Sequence, residues 1–260
     1  MNFEGKVILV TGAAGAMGKG IARRFCELGG KVFITDLEQS ALDGACQELA
    51  GLPGPCKGLS GDVVSPTQVK RVVAAAVAAF GGRIDVLVNV AGTVGQGNPV
   101  EDITPENWDL VFAVNCKGTF LFIKEVVPLM KSAGGGNIVN VSSKSGKTGS
   151  ALMSHYSAAK AAIIGLTQAL AFELAPKIRV NCVCPGITEN TGVWNQVSKD
   201  YVENLHLPID DVVKRFTSKV PLGRLARVED VVAGITFLAS DGAAYMTGQA
   251  INITGGREMH

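Results

Sequence analysis

Val7-Ile8-Leu9-Val10-Thr11-Gly12-Ala13-Ala14-Gly15-Ala16-Met17-Gly18 is the stretch that decides the fold. Four apolar residues in succession, with no alternation, describe a strand buried on both faces. A glycine-rich turn follows, and the chain then enters a helical pattern over about 16–29. Glycine permits a tight turn and lets backbone N–H groups approach a pyrophosphate at a helix N-terminus. Such a turn alone is a weak signal; its place between a first strand and a helix strengthens it.

The same alternation runs outward to the C-terminus. Val32-Phe33-Ile34, Val86-Leu87-Val88, Ile138-Val139-Asn140-Val141 and Val180-Asn181-Cys182-Val183 read as buried parallel strands, with Ala250-Ile251-Asn252-Ile253 last. Helical patterns fall at about 39–50, 66–80, 105–131, 154–175 and 228–239. This predicts an α/β protein: a single domain over 1–260, with one doubly wound parallel sheet and helices on both faces. With 47% hydrophobic residues, 18% charged and 32 glycines, the composition suits a sheet covered on both sides. No repeat, low-complexity tract or linker interrupts it.

The stretch at about 187–220 is irregular. It sets Trp194, Tyr201, Leu205, Leu207 and Phe216 among polar residues. An insertion after a parallel strand's C-terminal end lies over the ligand crevice, so a substrate-covering segment is expected, with a surface helical hairpin as the alternative.

Other classes find little support. The formal net charge of +1 gives no footprint for nucleic acid or a membrane surface. No apolar stretch nears the roughly 18–20 residues that span a bilayer, and Met1-Asn2-Phe3-Glu4-Gly5-Lys6 leads straight into a strand, so a cytoplasmic protein is expected. Six cysteines sit mostly in strand or helix patterns; the Cys182-Val183-Cys184 pair lacks partners for a zinc set, so reduced buried thiols and no metal are expected.

The second strand ends in Asp36, 18 residues beyond Gly18. A carboxylate there accepts hydrogen bonds from the adenosine ribose hydroxyls and repels a 2′-phosphate. Neither Gly15 nor Leu37 offers a cation for such a phosphate, so NAD is expected over NADP. Asp62-Val63, after the third strand, is placed to contact adenine or simply to end that strand.

These residues resemble the short-chain dehydrogenase/reductase family. The turn is similar to that family's Thr-Gly-x-x-x-Gly-x-Gly, with Ala16 at the middle glycine; one methyl is tolerated where φ stays negative. Asn89-Val90-Ala91-Gly92 resembles Asn-Asn-Ala-Gly, and Val114-Asn115 carries the family's helix asparagine. Ser143 lies 13 residues before Tyr156, and Tyr156-Ser157-Ala158-Ala159-Lys160 fits Tyr-x-x-x-Lys. Pro185-Gly186 closes the sixth strand, with Thr188 beyond it. The match runs from Lys6 to Gly256. It implies a Rossmann-type fold and a nicotinamide coenzyme held by Gly12, Ala16, Met17, Gly18, Asp36, Asp62, Val63, Asn89, Ala91, Gly92, Tyr156, Lys160, Pro185, Gly186 and Thr188. Asn115, Ser143, Tyr156 and Lys160 are then the catalytic residues.

The chemistry explains the residue types. A phenol titrates near pH 10, and an ammonium one helical turn away favours the phenolate. Lowering Tyr156 by about three pH units, helped by a cationic nicotinamide, takes roughly 4 kcal/mol. Tyr156 then accepts the alcohol proton as hydride leaves. Ser143 stabilises charge on the substrate oxygen, with Ser142 as its local rival. By resemblance, Lys160 also holds the nicotinamide ribose and joins Asn115 in a proton relay.

Ser142-Ser143-Lys144-Ser145-Gly146-Lys147-Thr148-Gly149-Ser150 is similar to the matching segment of sorbitol-6-phosphate dehydrogenases, as is Thr247-Gly248-Gln249-Ala250-Ile251-Asn252-Ile253-Thr254-Gly255-Gly256. That implies a secondary alcohol of the polyol class as substrate, with its ketone as product. Lys144 and Lys147 are candidates to receive an anionic group, or ordinary solvated lysines. His155 either reaches the substrate hydroxyls or merely sits at the helix start, and Trp194 is a candidate substrate contact. The alternatives are a 3-oxoacyl carrier-protein reductase and a catalytically silent nucleotide sensor. The resemblance implies a homotetramer, and the helix from Tyr156 to Ala175 is apolar on more than one face, as association would require.

Overall fold

The computed structural model describes all 260 residues, apart from the side chain of Leu205, which lies outside the described residues. Seven strands form one parallel sheet: β1 (Val7–Thr11), β2 (Lys31–Thr35), β3 (Cys56–Gly58), β4 (Val86–Asn89), β5 (Gly136–Val141), β6 (Ile178–Pro185) and β7 (Ala250–Ile253). Their spatial order is β3-β2-β1-β4-β5-β6-β7, as a doubly wound sheet requires. Every residue of β1 is buried, and successive side chains serve opposite layers. Ile8 and Val10 join Ile34, Phe25, Val183 and Ile235 on one face. Val7 and Leu9 join Phe33, Val72, Phe122 and Val180 on the other.

Helices α1 (Ala16–Glu27) and α2 (Gln39–Glu48) follow the first two strands. After them come α3 (Pro66–Phe80), α4 (Pro105–Phe112) and α5 (Gly118–Ser132). A short α6 (Ser145–Thr148) precedes the long α7 (Ser154–Leu174); α8 (Gly192–Leu205), α9 (Ile209–Thr217) and α10 (Val228–Ala239) complete the set. Prolines at the first turns of α3 and α4 occupy positions whose N–H needs no partner, and Ser65 and Thr104 cap those helices from the preceding residue.

Two features depart from the sequence expectation, and a third settles its form. The helix expected over 105–131 is broken by a π-helical turn, Ala113–Lys117, which carries Asn115. β3 has three residues and no apolar run to announce it. The 187–220 segment is a pair of helices, α8 and α9, whose inner side packs Val212, Phe216, Trp194 and Tyr201 into a small core of its own.

Winding reverses between β1 and β4, and a crevice opens beyond the C-terminal ends of those strands. The cleft there has a volume of about 750 Å³.

Candidate active site

The floor of the cleft is the turn after β1. Gly12 adopts φ +66°, and a Cβ on it would lie 2.7 Å from the backbone of Ala91. A Cβ on Gly18 would lie 2.3 Å from the Gly12 carbonyl oxygen, so only glycine lets α1 start this close to the strand. Ala16 sits inside α1, among helical residues without positive φ, so its methyl is tolerated there. Gly15 precedes α1 without a side chain to cap it, and the first amides, from Ala16, Met17 and Gly18, line the cleft without intrahelical acceptors. Donors and a helix dipole in that position fit a pyrophosphate.

Asp36 lies at the rim. Its Oδ2 accepts the Ala14 amide at 2.8 Å and its Oδ1 the Leu37 amide at 2.8 Å. Each oxygen keeps a lone pair for a ribose hydroxyl. Leu37 is 64% exposed beside it. The cations lining the cleft, among the described residues, are Lys144 and Lys160. Asp62 and Val63 also line the cleft, with Asp62 Oδ1 accepting the Val64 amide. Ala91, Gly92, Pro185, Gly186 and Thr188 line the remaining wall.

Asn89 is a correction. It does not line the cleft; its Nδ2 donates to Asn140 Oδ1 at 2.9 Å, and Asn140 Nδ2 donates to Thr167. The side chain ties β4 to β5 and α7, so its place in the motif is structural.

At the deep end four expected residues converge. Tyr156 and Lys160 stand on one face of α7, 6% and 4% exposed. Lys160 Nζ lies 5.7 Å from the Tyr156 ring centroid and donates to the Val141 carbonyl at 2.9 Å. Ser143, beyond the end of β5, lines the same cleft as the phenol, and its Oγ accepts the Ser145 amide at 3.1 Å. Ser142, its rival, is turned away and donates to the Lys160 carbonyl at 2.7 Å. Asn115 is fully buried; its Nδ2 donates to the carbonyls of Thr93 and Val111, while its Oδ1 has no hydrogen-bond partner. A Cβ on Gly92 would sit 2.6 Å from that oxygen and 3.2 Å from Lys160 Nζ. Gly92 thus keeps open the space between the orphaned acceptor and the ammonium.

Burial pushes the Tyr156 phenol up to about 12, and the Ser143 hydrogen bond draws it only partly back. Burial also holds the Lys160 ammonium down, at about 8. Two groups removed from water both favour their neutral forms. Burial thus opposes the lowering expected from the ammonium together with a cationic nicotinamide.

The substrate-side expectations divide. Trp194 lines the cleft and packs edge-on against Phe216, with ring centroids 6.2 Å apart. Lys144 lines the cleft too, yet it is neither solvated nor free: its Nζ donates to the Gly149 carbonyl, and burial lowers it to about 8. Lys147 donates to the Ala250 carbonyl and does not line the cleft. His155 is a correction as well. It is fully buried, faces away from the cleft and sits 3.4 Å from Asn107 Nδ2. Thr93, Val94 and Gly95, with Gln196 and Val197 of α8, line the cleft without any local signature to mark them, beside Tyr201 of the same helix.

With this geometry established, comparison with known proteins is informative. Residues 12–258 match the family described as "Enoyl-(Acyl carrier protein) reductase". A 3-oxoacyl-[acyl-carrier-protein] reductase of Thermotoga maritima is 40% identical over 257 residues, covering 98% of this chain and 99% of that protein. A crystal structure of NAD⁺-bound xylitol dehydrogenase superposes with a TM-score of 0.94 at 32% identity, covering 98% of this chain and 100% of its own. A variant of actinorhodin polyketide ketoreductase with NADPH gives 0.92 at 36% identity, covering 98% of both chains. The protein is an oxidoreductase of the nicotinamide-using class built on a Rossmann-type sheet. The chain belongs to the short-chain dehydrogenase/reductase family.

Proposed function

We propose that the chain is an NAD-dependent dehydrogenase that interconverts a secondary alcohol of the polyol class and its ketone. The observation that carries this reading is the meeting of Tyr156, Lys160, Ser143 and Asn115 in one cleft that has Asp36 at its far rim. Bound nicotinamide supplies the hydride acceptor for oxidation, or as NADH the donor for reduction.

The protein's residues handle the proton. Ser143 donates a hydrogen bond to the substrate oxygen, and Tyr156 exchanges a proton with that same oxygen. Protonated Tyr156, the form burial favours, is the acid for ketone reduction. In oxidation it must first become the phenolate, for which Lys160 and an oxidised nicotinamide supply nearby positive charge. The phenol's proton leaves towards solvent, and Asn115 Oδ1, an unpartnered buried acceptor near Lys160, would orient a hydrogen-bond donor on that route without itself taking the proton. Backbone amides from Ala16 to Gly18 hold the pyrophosphate, and Asp36 selects the unphosphorylated ribose.

Helices α8 and α9 cover the substrate, with Trp194, Tyr201 and Phe216 as an apolar wall. The similarity to xylitol dehydrogenase and the sequence of the Ser142–Ser150 segment support a polyol. A second reading, 3-oxoacyl thioester reduction, draws support from the Thermotoga maritima relative. The deciding experiment is a turnover panel of polyols, sugar phosphates, simple secondary alcohols and 3-oxoacyl thioesters, each with both coenzymes. Turnover of polyols with NAD is expected; turnover confined to thioesters with NADPH overturns the reading.

The working assembly is a homotetramer. Phe172 of α7 is 89% exposed among exposed Ala161, Ala162 and Ala169, and Trp108, Leu110 and Phe120 leave a second apolar face open. Sedimentation as a monomer at micromolar concentration would contradict this. Free cysteines throughout favour a reducing, cytoplasmic setting.

A further inference from the structure

Three thiols meet at the edge of the sheet, away from the catalytic groups. Cys46 lies on α2, Cys56 opens β3 and Cys26 lies on α1. Cys46 Sγ and Cys56 Sγ are 3.2 Å apart, a contact in which one thiol donates to the other. Both are half-buried, whereas Cys26, Cys182 and Cys184 are buried. Cys182 and Cys184 sit within β6 with no route for a reagent, and Cys116 Sγ donates to the Ala159 carbonyl. The Cys46–Cys56 pair therefore combines thiol–thiol contact with access to solvent.

The two sulfurs are unequal. The hydrogen bond from Cys56 favours the Cys46 thiolate and holds that thiol below its usual range. Cys56, with Cys26 and then Cys46 as thiol neighbours and partly removed from water, is held above it. A thiolate is the nucleophile in disulfide exchange, and partial exposure decides which thiols react. The roles follow: Cys46 attacks and Cys56 resolves.

We propose that Cys46 and Cys56 form a redox-active pair that closes reversibly to an intramolecular disulfide by exchange with a low-molecular-weight disulfide. In the first step the Cys46 thiolate attacks one sulfur of the small disulfide. That S–S bond breaks, and one small thiolate leaves with the electron pair and takes up a proton. In the second step Cys56, losing its proton, attacks the Cys46 sulfur of the mixed disulfide, and the second small thiol departs. Two protein thiols are oxidised by two electrons, and one small disulfide is reduced to two thiols. Closure brings the sulfurs from 3.2 Å to about 2.05 Å, which draws α2 against β3. Cys56 registers with Val32 of β2, the strand that ends at Thr35, one residue before Asp36.

The test uses the full-length protein treated with glutathione disulfide and read by intact mass and by thiol titration after denaturation. The parent should lose two hydrogens and fall from six titratable thiols to four, with dithiothreitol restoring all of them. Peptide mapping should place the new bond between Cys46 and Cys56. Cys56→Ser should halt at the first step and retain one glutathione on Cys46; Cys46→Ser should form neither product. Six thiols remaining after treatment, a bond mapped to another pair, or closure in the Cys46→Ser protein overturns the proposal. These readouts need no substrate or coenzyme, so they stand apart from the proposed activity.

Discussion

Asp200 of α8 grips the loop that follows β4: its Oδ2 accepts the backbone amide of Gly97 at 2.9 Å. The carboxylate is 2% exposed, and its Oδ1 accepts Gln196 Nε2 at 2.8 Å. A Cβ at Gly97 would lie 2.8 Å from Asp200 Oδ2, so glycine permits the close approach. Gly95 of that loop and Gln196 of α8 both line the cleft, which makes this bond a latch between its two walls.

Asp200→Ala should loosen the covering helices without touching the proton machinery. Losing the acceptor for a buried N–H costs about 1–3 kcal/mol. KM for the alcohol should rise about tenfold, since 1.4 kcal/mol is a factor of ten, while kcat stays within roughly twofold. Asp200→Asn keeps an acceptor and should be milder. Steady-state kinetics check this, and a fall confined to kcat would contradict it.

Tyr156→Phe removes the group that exchanges the substrate proton. Turnover should fall by about 10²–10⁴-fold, with NADH binding by fluorescence retained. Full activity in this variant would remove Tyr156 from the mechanism.

Lys160 gives a pH signature in stability that is independent of turnover. Its ammonium is held at about 8 in the fold, against the 10.5 of an ordinary lysine. Its contribution is fully present above about 10.5 and is lost as pH falls through 8, because the unfolded chain binds more protons in that window. Lys160→Met is freed from this penalty. In urea unfolding, its stability relative to the parent should be greatest below pH 8 and should shrink by on the order of 3 kcal/mol by pH 10.5. A difference that does not vary with pH would refute a buried, depressed lysine.

Asp36→Ala should shift coenzyme preference. The carboxylate disfavours a 2′-phosphate, so the ratio of NADPH to NADH affinity should rise at least about tenfold. The Ala14 amide loses its acceptor, so a fall in stability of about 1 kcal/mol should accompany the change. Titration with each coenzyme and thermal unfolding measure the two effects.

Much of this was legible in the sequence, for identifiable physical reasons. Strands buried on both faces need unbroken apolar runs, so β1, β2, β4, β5 and β6 announced themselves. Three-residue β3 at the sheet edge buries little and left no such mark. Tyr156 and Lys160 are one helical turn apart, so their juxtaposition is local and readable. Asn89 and His155 show the limit: their neighbours in sequence are cleft residues, yet their own side chains point into the core, which strand and helix phase alone did not resolve. The Asp200–Gly97 latch spans 103 residues and the Cys46–Cys56 contact joins a helix to a strand. Both depend on tertiary packing that no local pattern encodes. The raised Tyr156 likewise comes from burial, which spacing along a helix does not report.

Gly12 abuts Ala91, and the next residue, Gly92, abuts both Asn115 and Lys160. The nucleotide turn and the proton apparatus are thus separated by the thickness of one peptide unit. A methyl added at position 12 would press on the backbone of Ala91 from the coenzyme side, and one at position 92 would press on Asn115 and Lys160 from the other, so this one short segment carries the packing limits of both halves of the cleft.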